Sequence, residues 1–126
     1  PVSFHVDVLT MRMLSAAAKP GDLFFMISHT GRTKAIIDAA DDAQANGAKV
    51  VGLTTPGSML AKKSNFALEV SVSENTEEYM AMTSRIVHLV ILDVLATGFI
   101  LRKGPDFLNH MEKINRSLKP TRYKNN

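Results

Sequence analysis

Leu23-Phe24-Phe25-Met26-Ile27-Ser28-His29-Thr30-Gly31-Arg32-Thr33 is the stretch from which the rest of the chain is read. Five apolar residues, introduced by the turn formers Pro20-Gly21-Asp22, predict a strand buried on both faces. The hydroxyl-rich turn behind it lies at the carboxyl end of that strand and the amino end of an alanine-rich helix. Backbone N–H groups and the helix dipole favour an anion at such a place. Ser28, Thr30 and Thr33 add hydroxyl donors, and Gly31 admits a ligand close to the backbone. The turn therefore reads as a phosphate cradle, with a capped βα turn holding nothing as the competing reading.

Working outward, the residues from Asp7 to Ala18 have helical spacing and stop at Pro20-Gly21. Residues 1–5 can form a short strand. A helix is expected from Thr33 to Asn46, with Ile36, Ala39, Ala40 and Ala43 on its inner face and Gly47 just past its end. Val50-Val51-Gly52-Leu53 is a second buried strand, followed by a second hydroxyl turn, Thr54-Thr55-Pro56-Gly57-Ser58. A helical turn over Ser58–Lys63 and a third strand over Ala67–Val72 complete the pattern. Strands alternating with helices at this spacing indicate βαβ units and a parallel sheet, so both hydroxyl turns should emerge at one sheet edge, where ligands bind in open α/β folds.

The longest helical segment runs from Glu77 to Arg102, and 12 of the 16 residues from Ile86 to Leu101 are apolar. Arg85, His88 and Asp93 interrupt it, which disfavours a membrane span. The expectation is a helix buried on nearly all sides, partly by the sheet and partly by another subunit. A last helix starts at Pro105, carries the stripe Phe107, Met111, Ile114 and Leu118, and stops at Pro120.

Composition narrows the chemistry. The 126 residues suit one domain, 45% of them are hydrophobic, and there is no cysteine, which excludes disulfides and thiolate catalysis. No signal peptide is visible and a cytoplasmic location is expected. Residues 102–126 carry seven Lys/Arg against two acids, and residues 1–101 carry eight against ten, so a basic tail follows a mildly acidic body. A solvated helix face accounts for that tail, and the lack of Trp gives no stacking platform for nucleic acid. His5, His29, His88 and His110 lack metal-ligand spacing, so no metal site and no cofactor are expected. The nucleophile elbow, the P-loop and the dinucleotide fingerprint are absent. No catalytic residue is assigned. Glu74, Glu77 and Glu78 could supply a base, or simply complement a helix dipole.

Gly21-Asp22, Ile27-Ser28-His29-Thr30-Gly31-Arg32-Thr33 and Gly47-Ala48-Lys49-Val50-Val51-Gly52-Leu53-Thr54 resemble the SIS (sugar isomerase) domain. Thr54–Ala61, Thr83-Ser84-Arg85-Ile86, Leu92–Gly98 and Thr121-Arg122-Tyr123 resemble its branch in the RpiR family of bacterial transcription regulators. The resemblance covers nearly the whole chain. It implies a flavodoxin-like three-layer α/β/α fold with a parallel sheet over residues 1–126, without the family's first βα unit and without its N-terminal helix-turn-helix domain. It implies phosphate binding by Ser28, His29, Thr30, Gly31 and Thr33, with Thr54, Thr55, Ser58 and Ser84 as a second set. Its implied effector is a phosphorylated sugar acid, 2-keto-3-deoxy-6-phosphogluconate, controlling genes of glucose catabolism. The chain is then a non-enzymatic, homo-oligomeric effector domain, a dimer or higher, that reaches DNA only through the helix-turn-helix domain. A phosphosugar isomerase and a pure oligomerisation module are the alternatives.

Overall fold

The computed structural model describes residues 2–73, 82–118 and 120, without the side chains of Asp106 and Leu108. Its elements in chain order are α1 (Val8–Ala16), β1 (Leu23–Ser28), α2 (Lys34–Ala45), β2 (Lys49–Thr54), α3 (Met59–Lys63), β3 (Phe66–Glu69), α4 (Thr83–Lys103) and α5 (Pro105–Leu118). They divide into two units, residues 1–87 and 88–126.

In the first unit the three strands form one parallel sheet in the order β1-β2-β3. The α/β architecture and the parallel pairing expected from the sequence are both present. Leu23 pairs with Lys49 and the register continues to Ser28 with Thr54, while Thr54 pairs with Glu69 on its other side. Alternation along the strands sends Phe24, Met26 and Val50 to the face that carries α2 and α3. There Val50, Leu60, Ala40, Ala43 and Ala48 form the buried core, flanked by Ala18, Phe24, Met26 and Ile36. The alanines let α2 lie close to the strands, as the sequence pattern required. Gly52 serves the same purpose from the sheet side, since a Cβ there would fall 2.4 Å from Ser64 Oγ and 3.2 Å from Leu60 Cγ.

Side-chain bonds close the ends of these elements. Asp7 caps α1, accepting from the Thr10 N–H at 2.7 Å and the Thr10 hydroxyl at 2.9 Å. Those bonds hold the Asp7 carboxyl below the usual carboxylate range, so the cap persists at neutral pH and is lost as pH falls through the lowered value. At the other end of α1 the Asn46 amide donates to the carbonyls of Ser15 (3.1 Å) and Ala16 (3.4 Å), tying α1 to the end of α2. Asn65 extends the sheet: its side chain accepts from the Val50 N–H at 2.7 Å and its own N–H donates to the Val50 carbonyl at 2.9 Å.

Two expectations change, and a third is described only in part. Residues 2–7 form no strand: Phe4 and Val6 lie 82% and 77% exposed, and no strand pairs with them. β3 ends at Glu69 rather than Val72, and its side chain turns back to the β2–α3 turn. The long helix is described from Thr83, the residues from Glu77 to Ala81 lying outside the described set, and it is mostly exposed within this chain. Ser84 and His88 are buried, but Leu89, Val90, Val94, Leu95, Phe99 and Leu101 are not. In the second unit Phe99 meets Phe107 edge-to-face at 5.7 Å, and the Lys103 ammonium sits 5.3 Å from the Phe99 ring centre.

Leu60 joins α3 to the core and is fully buried. Leu60→Ala is expected to lower unfolding stability by about 2–5 kcal/mol, measured by urea denaturation.

Candidate functional site

The register that pairs Ser28 with Thr54 and Thr54 with Glu69 places three polar residues side by side at the carboxyl ends of the strands. Both hydroxyl turns leave the sheet there, as parallel crossovers require.

The first turn reverses tightly. The Gly31 N–H donates to the Ser28 carbonyl at 3.2 Å, and Gly31 adopts φ +59°, a left-handed conformation that glycine reaches without penalty. Ser28 and Gly31 are buried, His29 and Thr30 half-buried, and Arg32 and Thr33 exposed. Thr33 is the N-terminal flanking residue of α2, yet its hydroxyl makes no cap bond and lies instead 3.4 Å from Ser28 Oγ. The carbonyl of Thr33 takes the N–H groups of Ile36 and Ile37 at 3.0 and 3.1 Å. Lys34 and Ala35, ahead of them, present first-turn N–H groups that the helix itself cannot satisfy. The other short helix behaves differently: Ser58 Oγ accepts the Ala61 N–H at 3.2 Å and caps α3. The amino end of α2 therefore keeps its positive dipole end open beside the hydroxyls of Ser28, Thr30 and Thr33, an arrangement able to hold an anion. Lys34 is committed to Asp38 at 2.8 Å, which leaves Arg32 as the exposed cation within the turn itself.

The second turn is joined to the first. The Thr55 N–H donates to the His29 carbonyl at 2.9 Å and the Leu60 N–H to the Gly31 carbonyl at 3.1 Å. The Thr54 hydroxyl, fully buried, lies 3.4 Å from the His29 carbonyl and 3.0 Å from Ser58 Oγ. The approach is so close that a Cβ on Gly31 would fall 2.3 Å from Ser58 Oγ and 2.5 Å from Thr54 Oγ1. Glu69 Oε2 accepts the Gly57 N–H at 2.8 Å.

Ser28, His29, Thr30, Gly31 and Thr33 thus form one array, with Thr54, Thr55 and Ser58 bonded beneath or beside it. Ser84 lies buried in the first turn of α4. Glu74, Glu77 and Glu78, the acids considered as a base, are outside the described residues. Among the described residues no group of three or more His, Asp or Glu side chains could hold a metal ion. Sequence reading passed over Glu69 and the Leu60 amide. Glu69 looks like an ordinary strand-end acid, and a backbone donor leaves no trace in residue identity.

The SIS domain family matches residues 1–98. The HTH-type transcriptional regulator HexR of Pseudomonas aeruginosa is 52% identical over 122 residues, covering 97% of this chain and 43% of its own length. HexR of Escherichia coli is 40% identical over 123 residues, again covering 43% of its own length. The chain therefore spans less than half of the curated relatives it matches. Among solved structures, the NanR protein of Vibrio vulnificus complexed with ManNAc-6P superposes with a TM-score of 0.80 at 27% identity, over 94% of this chain and 45% of that one. An open parallel sheet, a hydroxyl turn at an uncapped helix and these likenesses agree: the chain belongs to the SIS domain family and is similar to the HexR-type transcription regulators.

Proposed function

We propose that this chain is the effector-binding domain of a bacterial regulator of sugar catabolism. It forms one SIS phosphosugar-binding domain over residues 1–126, acts in the cytoplasm, and carries no catalytic residue. The observation that carries the reading is the uncapped amino end of α2, with the Ser28 and Thr33 hydroxyls 3.4 Å apart at its start and the Thr30 hydroxyl 3.4 Å from the Arg32 N–H just ahead of it. The sugar phosphate named with the NanR structure supports it. The phosphate of a phosphorylated sugar acid lies at Ser28, His29, Thr30, Gly31 and Thr33, and 2-keto-3-deoxy-6-phosphogluconate is the effector assigned. Thr55, whose N–H ties the second turn to the first, is assigned to the sugar side of the phosphate. Contact with DNA belongs to a helix-turn-helix domain of the regulator, the type for which the HexR relatives are named.

The apolar surface of α4 is assigned to a second copy of the chain. By length and composition that helix could also cross a membrane. Its residues up to 98 lie within the SIS match, and Asp93 and Thr97 line a groove between Val90, Val94 and Leu101 on the same helix. A self-associating face accounts for exposed leucines and valines that a monomer would leave in water.

Ser28→Ala and Thr30→Ala are each expected to cost about 1.5–3 kcal/mol of binding to 2-keto-3-deoxy-6-phosphogluconate, roughly a ten- to hundredfold rise in Kd by calorimetry. Parent-like affinity in the double variant would remove the cradle. No aldose–ketose phosphate interconversion is expected from the chain, and turnover in that assay would make it an isomerase. Light scattering should report a dimer or larger species, and Val94→Glu should shift it to monomer with unchanged circular dichroism.

A further inference from the structure

We infer that the second hydroxyl turn is a clamp that aims the backbone amides of the cradle, with Thr54, Ser58 and Glu69 acting as positioning residues rather than ligand contacts. The inference rests on the phosphate reading of the first turn and extends it.

The Thr54 hydroxyl lies 3.4 Å from the His29 carbonyl, which it can serve as donor. Its oxygen is 3.0 Å from Ser58 Oγ, a contact that either hydroxyl can donate, and Ser58 Oγ accepts the Ala61 N–H at 3.2 Å. A chain of polar contacts results, from the amino end of α3 through two hydroxyls to a carbonyl of the cradle. Thr54 is fully buried, which removes its hydroxyl from the reach of a ligand.

Peptide geometry then converts this support into orientation. Every peptide bond described is trans, so each C=O points opposite to the N–H of the same unit. The His29 carbonyl is drawn to the second turn by Thr55 N–H and Thr54 Oγ1, which turns the Thr30 N–H away from it. The Gly31 carbonyl is drawn the same way by the Leu60 N–H, which turns the Arg32 N–H away as well. Both amides are thereby directed to the open side of the turn. There the Arg32 N–H meets the Thr30 hydroxyl oxygen at 3.4 Å, at the limit of a hydrogen bond and ready to exchange that contact for an anion. Glu69 completes the clamp by holding the Gly57 N–H at the tip of the second turn, 2.8 Å away.

Glu69 supplies a test in which two effects have opposite signs. A carboxylate near an anion site repels the ligand, so plain electrostatics makes Glu69→Ala bind phosphate more tightly. The clamp requires the reverse. With the full chain and inorganic phosphate or 2-keto-3-deoxy-6-phosphogluconate as probe, Glu69→Ala should raise Kd about threefold. Glu69→Gln, which keeps an acceptor for Gly57, should bind like the parent or better. Thr54→Val should raise Kd about tenfold and Thr54→Ser should restore it. In the parent, phosphate should shift the Thr30 and Arg32 amide NMR resonances, and in Thr54→Val those shifts should shrink. Parent-like or tighter binding by Glu69→Ala together with an unchanged Thr54→Val overturns the clamp. So does phosphate binding that Ser28→Ala weakens while the Thr30 and Arg32 amides stay silent, an outcome that keeps the cradle. Absence of phosphate binding by the parent chain overturns cradle and clamp together.

Discussion

Pairing of β1 with β2 in parallel, in step from Leu23–Lys49 to Ser28–Thr54, leaves two βα turns at one end of the sheet and close enough to bond. Everything proposed for the site depends on that register. A slip of one residue would turn Phe24 and Met26 off the core, and would carry Ser28 away from Thr54. It would also separate the His29 and Gly31 carbonyls from the Thr55 and Leu60 amides that hold them. The core enforces the register, because Val50 and Leu60 can be fully buried against Ala40 and Ala43 only when β2 presents its even-numbered residues to α2.

Small residues set the distances on which this works. Ala39, Ala40 and Ala43 are buried on α2, and Gly52 faces Leu60 and Ser64 from β2. Gly31 continues the theme at the site itself, where the left-handed backbone and the contact with Ser58 both exclude a side chain. The proposed phosphate cradle relies on fixed partial charges, from amides and hydroxyls held in place by the fold, more than on a lysine. Its strength then depends on how well the backbone is oriented before the ligand arrives, since reorienting peptide planes on binding would consume part of the interaction.

Much of this was legible in the sequence. The apolar run before Ser28, the alanines at helical spacing and the two hydroxyl turns predict the strands, the crossover and the shared edge, because each is a local pattern with one dominant physical cause. The bonds between the turns were not legible. They run from backbone atoms of Thr55 and Leu60 to backbone atoms of His29 and Gly31, and residue identity says nothing about such atoms. Glu69 was hidden for a related reason: its partner is the Gly57 N–H, twelve residues away in sequence.

The exposure of α4 within this chain bears on a different question. Twelve apolar residues in sixteen imply that the helix is covered, and sequence alone does not say by what. Within this chain Leu89, Val90, Val94 and Leu101 remain more than half exposed, which is the observation behind the proposed self-associating face. Apolar periodicity reports the burial selected for the whole assembly, whereas burial measured on one chain reports only that chain's share. The same reasoning applies to the sheet face opposite α2. Leu53 is fully buried there while Ile27 and Leu68, its register neighbours on the strands to either side, are half-buried. Such a gradient, from a covered centre to half-covered flanks, is what a sheet shows when its middle is packed within the chain and its margins only partly so.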